Sequence, residues 1–229
     1  MAAIEISNLS KRFKNQTVLS DVNVSFDENA IHGIIGRNGS GKTMLFKCIL
    51  GLMPFSEGEI RVFGQIIGKD VSTPSNVGML IETPGFLPNY SGFANLRFLA
   101  LINNKISNED IRRAIRTIGL DPGSRKWVGK YSMGMKQRLG IAQAIMENPD
   151  LLILDEPMNG LDNRGVDDMR KLFLELKGQG KTILLASHNR EDIEILCDCV
   201  YEMDAGRLTA ILTKNSGPLV DTPARRVLL

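Results

Sequence analysis

Gly36-Arg37-Asn38-Gly39-Ser40-Gly41-Lys42-Thr43 is the stretch from which the rest of the chain can be read. It follows a short apolar run, Ile31 to Ile35, and opens a helical pattern from Lys42 to Leu50. Strand, glycine loop and helix therefore come in that order. The octapeptide fits G-x-x-x-x-G-K-[ST], a pattern that average composition yields by chance in roughly one chain per hundred of this length. Glycines let backbone N–H groups turn inward around phosphates, the helix N-terminus adds partial positive charge, and a lysine neutralises the β and γ oxygens. Gly36, Asn38, Gly39, Ser40, Gly41, Lys42 and Thr43 are the candidate nucleotide contacts, with Thr43 also offering its hydroxyl to magnesium. A bare Gly-rich turn before a helix has no need of a buried lysine.

A second apolar run, Leu151 to Leu154, ends in Asp155-Glu156. Taken alone, an acidic strand end is ordinary. Beside a phosphate loop the two carboxylates fit a division of labour: Asp155 holds the magnesium shell, and Glu156 polarises the water that attacks the γ-phosphate in line.

Around these motifs the periodicity is mixed. Ile4, Ile6, Val18, Val22, Val24 and Phe26 alternate as strands do, with Lys14-Asn15-Gln16 as a polar turn, which predicts an antiparallel N-terminal sheet. From about residue 84 to 148 the pattern is helical, with candidates at 95–102, 108–118 and 132–146, and Pro149 closes the last. Leu151 to Leu154 and Thr182 to Ala186 read as parallel strands buried on both faces, separated by a helical segment. The expectation is one α/β domain over 1–229, with a mainly parallel core, the antiparallel β-subdomain, and a helical subdomain inserted over about 84–148. The tail from Lys214, with Gly217, Pro218 and Pro223, has little periodicity and reads as partly disordered.

Composition narrows the function classes. Lys plus Arg total 28 against 26 Asp plus Glu, and the basic residues come in short groups such as Arg112-Arg113 and Arg225-Arg226, which argues against a nucleic-acid groove. No apolar stretch approaches the roughly 18 residues a membrane helix needs, and Glu5, Ser7 and Asn8 interrupt any apolar core of a signal peptide. The reading is a cytoplasmic protein. Cys48, Cys197 and Cys199 offer neither an even disulfide framework nor a paired zinc motif, and are taken as packing residues.

Tyr131-Ser132-Met133-Gly134-Met135-Lys136-Gln137-Arg138, just ahead of the acidic strand, makes the reading specific. The segment resembles the signature of ABC ATPases, which share the P-loop NTPase core. Asn159-Gly160-Leu161-Asp162 is similar to their D-loop, and His188, at the end of the next apolar strand, to their switch histidine. The resemblance spans nearly the whole chain. It implies that Phe13 stacks on adenine and that His188 contacts the γ-phosphate. It also implies a head-to-tail pair of nucleotide domains, homodimeric or heterodimeric, in which Ser132 and Gly134 close over the nucleotide held by the other copy and Asp162 links the two sites. A serine hydroxyl and backbone N–H groups opening a helix suit an anion.

Two departures matter. The usual signature is Leu-Ser-Gly-Gly-Gln, whereas Tyr131, Met133 and Met135 stand here. In Val77-Gly78-Met79-Leu80-Ile81-Glu82, Glu82 occupies the position where most members place glutamine. Glu82 still offers an oxygen to magnesium, but it adds a negative charge beside the phosphates unless a metal or a neighbouring cation offsets it. Together with Pro84-Gly85-Phe86-Leu87-Pro88, these features resemble the branch of bacterial exporters acting on lantibiotic and bacitracin-type peptides.

The resemblance implies an ATP- and Mg²⁺-dependent subunit on the inner face of the cell membrane, coupled to a separate permease. Soluble ABC ATPases acting on nucleic acid or ribosomes are the alternative. They carry long coiled-coil insertions or two nucleotide domains, and about ninety residues between Gly41 and Ser132 leave no room for such an arm. A regulatory module with weak catalysis is a third reading, opposed by Lys42, Asp155, Glu156 and His188.

Overall fold

The computed structural model describes residues 1–14, 16–82 and 84–213. The middle of the expected 14–16 turn and the tail from Lys214 lie outside the described residues.

The chain begins with two long strands, β1 (Ala2–Phe13) and β2 (Gln16–Asp27), paired antiparallel as their alternation predicts. Ile4, Ile6, Leu9, Leu19, Val22 and Phe26 all point inward and are buried. Then come β3 (Ile31–Ile35), α1 (Lys42–Ile49), β4 (Glu57–Val62), β5 (Gln65–Ile66) and β6 (Val77–Leu80). Between β6 and the next strand lie α2 (Gly92–Asn103), α3 (Asn108–Thr117), a short 3₁₀ turn and α4 (Met133–Ile145). The chain continues through β7 (Leu151–Asp155), α5 (Asn163–Gly178), β8 (Thr182–Ala186), α6 (Arg190–Leu196), β9 (Cys199–Asp204) and β10 (Arg207–Thr213).

Each of the three expected helices starts at a capping residue. Ser91, Ser107 and Ser132 accept from the backbone N–H three residues on, and Ser107 completes a capping box with Asp110. The first helix therefore starts three residues before the periodic residues at 95–102.

The strands form two sheets. The smaller has the order β2-β1-β4-β5, and the larger β10-β9-β3-β8-β7-β6, with only β10 antiparallel to its neighbour. The apolar runs at 151–154 and 182–186 are central strands, and their side chains alternate between two cores. Leu151, Ile153, Leu184 and Ala186 pack with α1 and the antiparallel sheet, while Leu152, Leu154, Ile183 and Leu185 pack with the later helices. A strand buried on both faces loses the period-two pattern, which is why these segments read as continuous hydrophobic runs. β4, β5, β9 and β10 are shorter or more polar and carry weaker signals. Cys48 and Cys197 are fully buried, and burial pushes the Cys48 thiol up to about 11. The packing role expected of them holds. Among the described residues no helix is long and apolar enough to cross a membrane.

Candidate functional site

The register of the large sheet brings the motifs together. Ile34 of β3 pairs with Ala186 of β8, Asp155 of β7 also pairs with Ala186, and Leu80 of β6 pairs with Leu154. Four parallel strands thus end at one edge, and Gly36, Glu82, Glu156 and His188 all leave the sheet there. Carboxyl ends of parallel strands are where open α/β sheets form their binding crevices.

Gly36 leaves β3 with φ +150°, and a Cβ there would fall 2.3 Å from the Met203 carbonyl oxygen. Only glycine fits. The loop then curls over the start of α1, whose first N–H groups remain available to an anion. Lys42 is buried, and its ammonium donates to the carbonyls of Gly36 (2.6 Å) and Arg37 (3.3 Å), lying across the loop it belongs to. The Ser40 hydroxyl is buried with no protein partner. A cavity of about 390 Å³ is lined by Asn38, Gly39, Gly41, Lys42 and Thr43, by Asp155 and Glu156, and by Val18 and Met44.

The Thr43 hydroxyl donates to Asp155 Oδ2 at 2.5 Å. Two hard oxygen donors from protein beside a phosphate cradle form the sparse set that magnesium accepts, since it fills its remaining positions with phosphate and water. The residues present fit that ion.

Glu156 has φ +50°, a left-handed conformation costing a non-glycine residue about 1–2 kcal/mol. It is held there from three sides. Its N–H donates to Ala186 O (2.9 Å), and Gln137 Nε2 donates to the carbonyls of Glu156 and Pro157, both at 3.0 Å. Its carboxylate Oε2 lies 2.7 Å from His188 Nδ1. Carboxylate and imidazole thus meet over the same strand edge, in a conformation the surroundings over-determine.

Glu82 is also left-handed, at φ +59°. Its Oε1 sits 2.6 Å from the ammonium of Lys47, which lies one turn beyond Thr43 on α1. The neighbouring cation anticipated to offset this carboxylate is therefore present.

The signature lies elsewhere. Ser132 caps α4, accepting from Met135 N at 3.2 Å, and neither Ser132 nor Gly134 lines the phosphate cavity. Tyr131 is buried in the helical-side core, filling a leucine position with a larger ring. Gly134 packs against the D-loop segment, where a Cβ would come within 2.9 Å of Gly160 O. Asp162 caps α5, its Oδ1 accepting from Gly165 N at 2.9 Å. Phe13, at the tip of the β1–β2 hairpin, is 42% exposed, with the Lys11 ammonium 4.4 Å from its ring centroid. It does not line the phosphate cavity either.

The sequence matches the family described as ABC transporter over residues 19–159. The chain belongs to this ABC transporter family. Bacitracin transport ATP-binding protein BcrA of Enterococcus faecalis is 42% identical over 90% of this chain and 67% of its own length. Lantibiotic transport ATP-binding protein SrtF of Streptococcus pyogenes is 32% identical over 90% of this chain and 88% of its own. The dimeric ATP-binding cassette MJ0796 in a post-hydrolysis state with ADP and Pi superposes with a TM-score of 0.82 at 18% identity, covering 91% of this chain and 99% of that one. This last likeness concerns the fold. As an ABC ATPase the chain binds and hydrolyses ATP.

Three residues of this ABC site escaped sequence reasoning. Val18 gave only a strand signal, although it lines the phosphate cavity. Lys47 stands four residues after Thr43 and so on the same helix face, a spacing that makes it a candidate once Glu82 is known to need a counter-ion. Gln137, five residues into the signature helix, carried no signal of its own, because its role is to hold a backbone contributed by another element.

Proposed function

We propose that this ABC ATPase powers export of a bacitracin- or lantibiotic-type peptide through a separate membrane permease, which it meets on the inner face of the cell membrane. The observation that carries the catalytic part is the meeting of Glu156 and His188, 2.7 Å apart, at the strand edge that also carries Lys42, Thr43 and Asp155. The likeness to BcrA and SrtF supports the substrate class, together with Glu82 in the glutamine position.

In this reading Lys42, the glycine-loop N–H groups and Ser40 hold the phosphates, with Asn38 at the loop's outer turn. Thr43 and Asp155 hold magnesium, which when bound neutralises charge on the β and γ oxygens, and Glu82, paired with Lys47, stands beside them to offer an oxygen to the ion's water shell. Phe13 stacks on adenine. Glu156 takes a proton from a water placed in line with the terminal phosphate. The new bond forms between that water oxygen and the γ-phosphorus, and the bond from phosphorus to the β–γ bridging oxygen breaks, leaving ADP and phosphate. His188, hydrogen-bonded to Glu156, orients the carboxylate and reaches the γ-phosphate. Ser132 and Gly134 act on the nucleotide of a second domain, in a homodimer or heterodimer, with Asp162 linking the two sites. The position of Ser132 and Gly134 away from the chain's own phosphate cavity supports this arrangement in trans. Closure of the dimer on ATP and its reopening after hydrolysis then move the permease. The alternative of a soluble ATPase acting on nucleic acid or ribosomes gains no support from the relatives found.

The test is a mild-detergent pull-down of the tagged protein from its native membranes, with mass spectrometry of what co-purifies. Recovery of a multi-span permease, and loss of peptide resistance when that permease or this chain is deleted, is the expected result. Recovery of soluble or ribosomal partners alone would overturn the transport reading and leave the ATPase intact.

A further inference from the structure

Away from the phosphates, one buried cation is unusual. Arg170 on α5 is 7% exposed, and nothing in nucleotide binding requires it. Its Nε and Nη2 donate to Asp192 Oδ1 at 2.9 and 2.6 Å, and Nη2 also donates to Glu191 Oε2 at 2.9 Å. Asp192, on α6, is 2% exposed. Its other oxygen, Oδ2, accepts from the Ser187 hydroxyl at 3.4 Å, and that hydroxyl oxygen accepts in turn from Asn189 N at 3.1 Å.

Ser187 and Asn189 flank His188. The histidine has a largely exposed side chain, and its own backbone N–H makes only a long contact to Glu156, at 3.4 Å. On one side of it the Ser187 N–H donates to Ile34 O at 3.4 Å, and on the other Asn189, which caps α6, donates its N–H to the Ser187 hydroxyl; that hydroxyl is held by Asp192, itself pinned by Arg170. The helix carrying Arg170 begins at Asp162, two turns or about 12 Å upstream. One continuous set of hydrogen bonds therefore runs from the helix capped by Asp162, through Arg170, Asp192 and Ser187, to the loop that presents His188 to Glu156.

We infer that Arg170 is a positioning residue for hydrolysis, setting the His188 loop against Glu156 and tying that loop to the helix that starts at Asp162. A guanidinium and a carboxylate this deeply buried add little to stability compared with apolar packing of the same shape, so a geometric role accounts for them better than a purely structural one. The coupling is physical: a shift of α5 relative to α6 is felt at residues 187–189 because each link is a directional hydrogen bond. The inference rests on the reading of His188 and Glu156 as a working pair.

The test separates geometry from folding. Arg170→Met alone strands a buried carboxylate and will destabilise the chain, so the informative variant is Arg170→Met with Asp192→Leu, which removes both charges and keeps the volume filled. Steady-state hydrolysis and ATP binding are measured on this pair, on Ser187→Ala, on Arg170→Lys and on His188→Ala. The expected result for the double variant is a kcat lower by about tenfold to a hundredfold with KM and ATP affinity unchanged. Ser187→Ala shows the same signature more weakly, and Arg170→Lys retains part of the lost rate. Wild-type kcat in the folded double variant overturns the inference, as does a loss confined to KM. Should the double variant not fold, unchanged kcat in Ser187→Ala is sufficient to overturn it. The two readings fail differently. If His188→Ala hydrolyses normally, the pairing of His188 with Glu156 is wrong. If His188→Ala is inactive while the double variant is active, only the role of Arg170 is wrong.

Discussion

Replacing Lys47 with Met removes the ammonium 2.6 Å from Glu82 Oε1 and leaves a bare carboxylate at the edge of the phosphate site. As an exposed ion pair it adds little to stability, so its effect is expected on the ligand. Lys47 lies one turn, about 6 Å, beyond Thr43, and the scale is set by taking the freed Glu82 charge as about 8 Å from the charge centre of a bound Mg·ATP of net charge about −2. At an effective dielectric of about 40, between surface and bulk values, repulsion is about 2 kcal/mol; a Debye length of about 8 Å in physiological salt reduces it to about 0.8 kcal/mol. That is about a fourfold weaker Kd. Glu82→Gln alone leaves Lys47 uncompensated and is expected to tighten binding by a similar factor with hydrolysis retained, while the double variant returns near the wild-type value. Equilibrium titration with a fluorescent ATP analogue in magnesium, repeated at low salt where all three effects should grow, measures the cycle. A double variant that binds as weakly as Lys47→Met alone, or losses that do not grow at low salt, would refute the electrostatic argument. Weaker binding by Glu82→Gln would instead mean that the carboxylate is needed as a magnesium ligand.

Two further outcomes follow from the geometry. Glu156→Gln keeps the shape of the side chain but removes its basicity, so ATP binding should persist while turnover falls by about 10²–10⁴-fold and the ATP-bound dimer accumulates on gel filtration; turnover near the wild-type rate would remove Glu156 as the base. His32, 1% exposed, donates from Nε2 to Asp27 O at 2.8 Å, and burial holds its pKa below the ordinary 6.5 despite Asp27 and Asp198 nearby. The unfolded chain therefore takes up a proton that the fold refuses, and stability should fall as pH drops below 6.5, by at most about 1.4 kcal/mol per pH unit from this group. Thermal melts at pH 7.5 and 5.5 should show a smaller acid penalty in His32→Gln than in the wild type, and an equal penalty would exclude His32 as its source.

Much of this protein was legible before folding because its chemistry is local. The phosphate loop needs glycines, a lysine and a threonine at fixed spacing within eight residues, since the backbone itself makes the cradle, and the adjacent acids Asp155 and Glu156 follow one apolar strand. The antiparallel start, the central strands at 151–155 and 182–186, and the helix beginning at Ser132 were likewise readable, because each pattern reports the faces on which its element is buried. Tertiary structure decided what depends on elements distant in the chain. The strand order β3-β8-β7 aligns three carboxyl ends and so brings Gly36, Glu156 and His188 to one edge. The pairing of Lys47 with Glu82 and the hold of Gln137 on the strained Glu156 backbone depend on helices packed beside that edge. The buried path from Arg170 through Asp192 to Ser187 joins residues up to 22 positions apart. A motif records which groups a reaction needs; packing alone sets which side chains from other elements come within hydrogen-bonding distance of them.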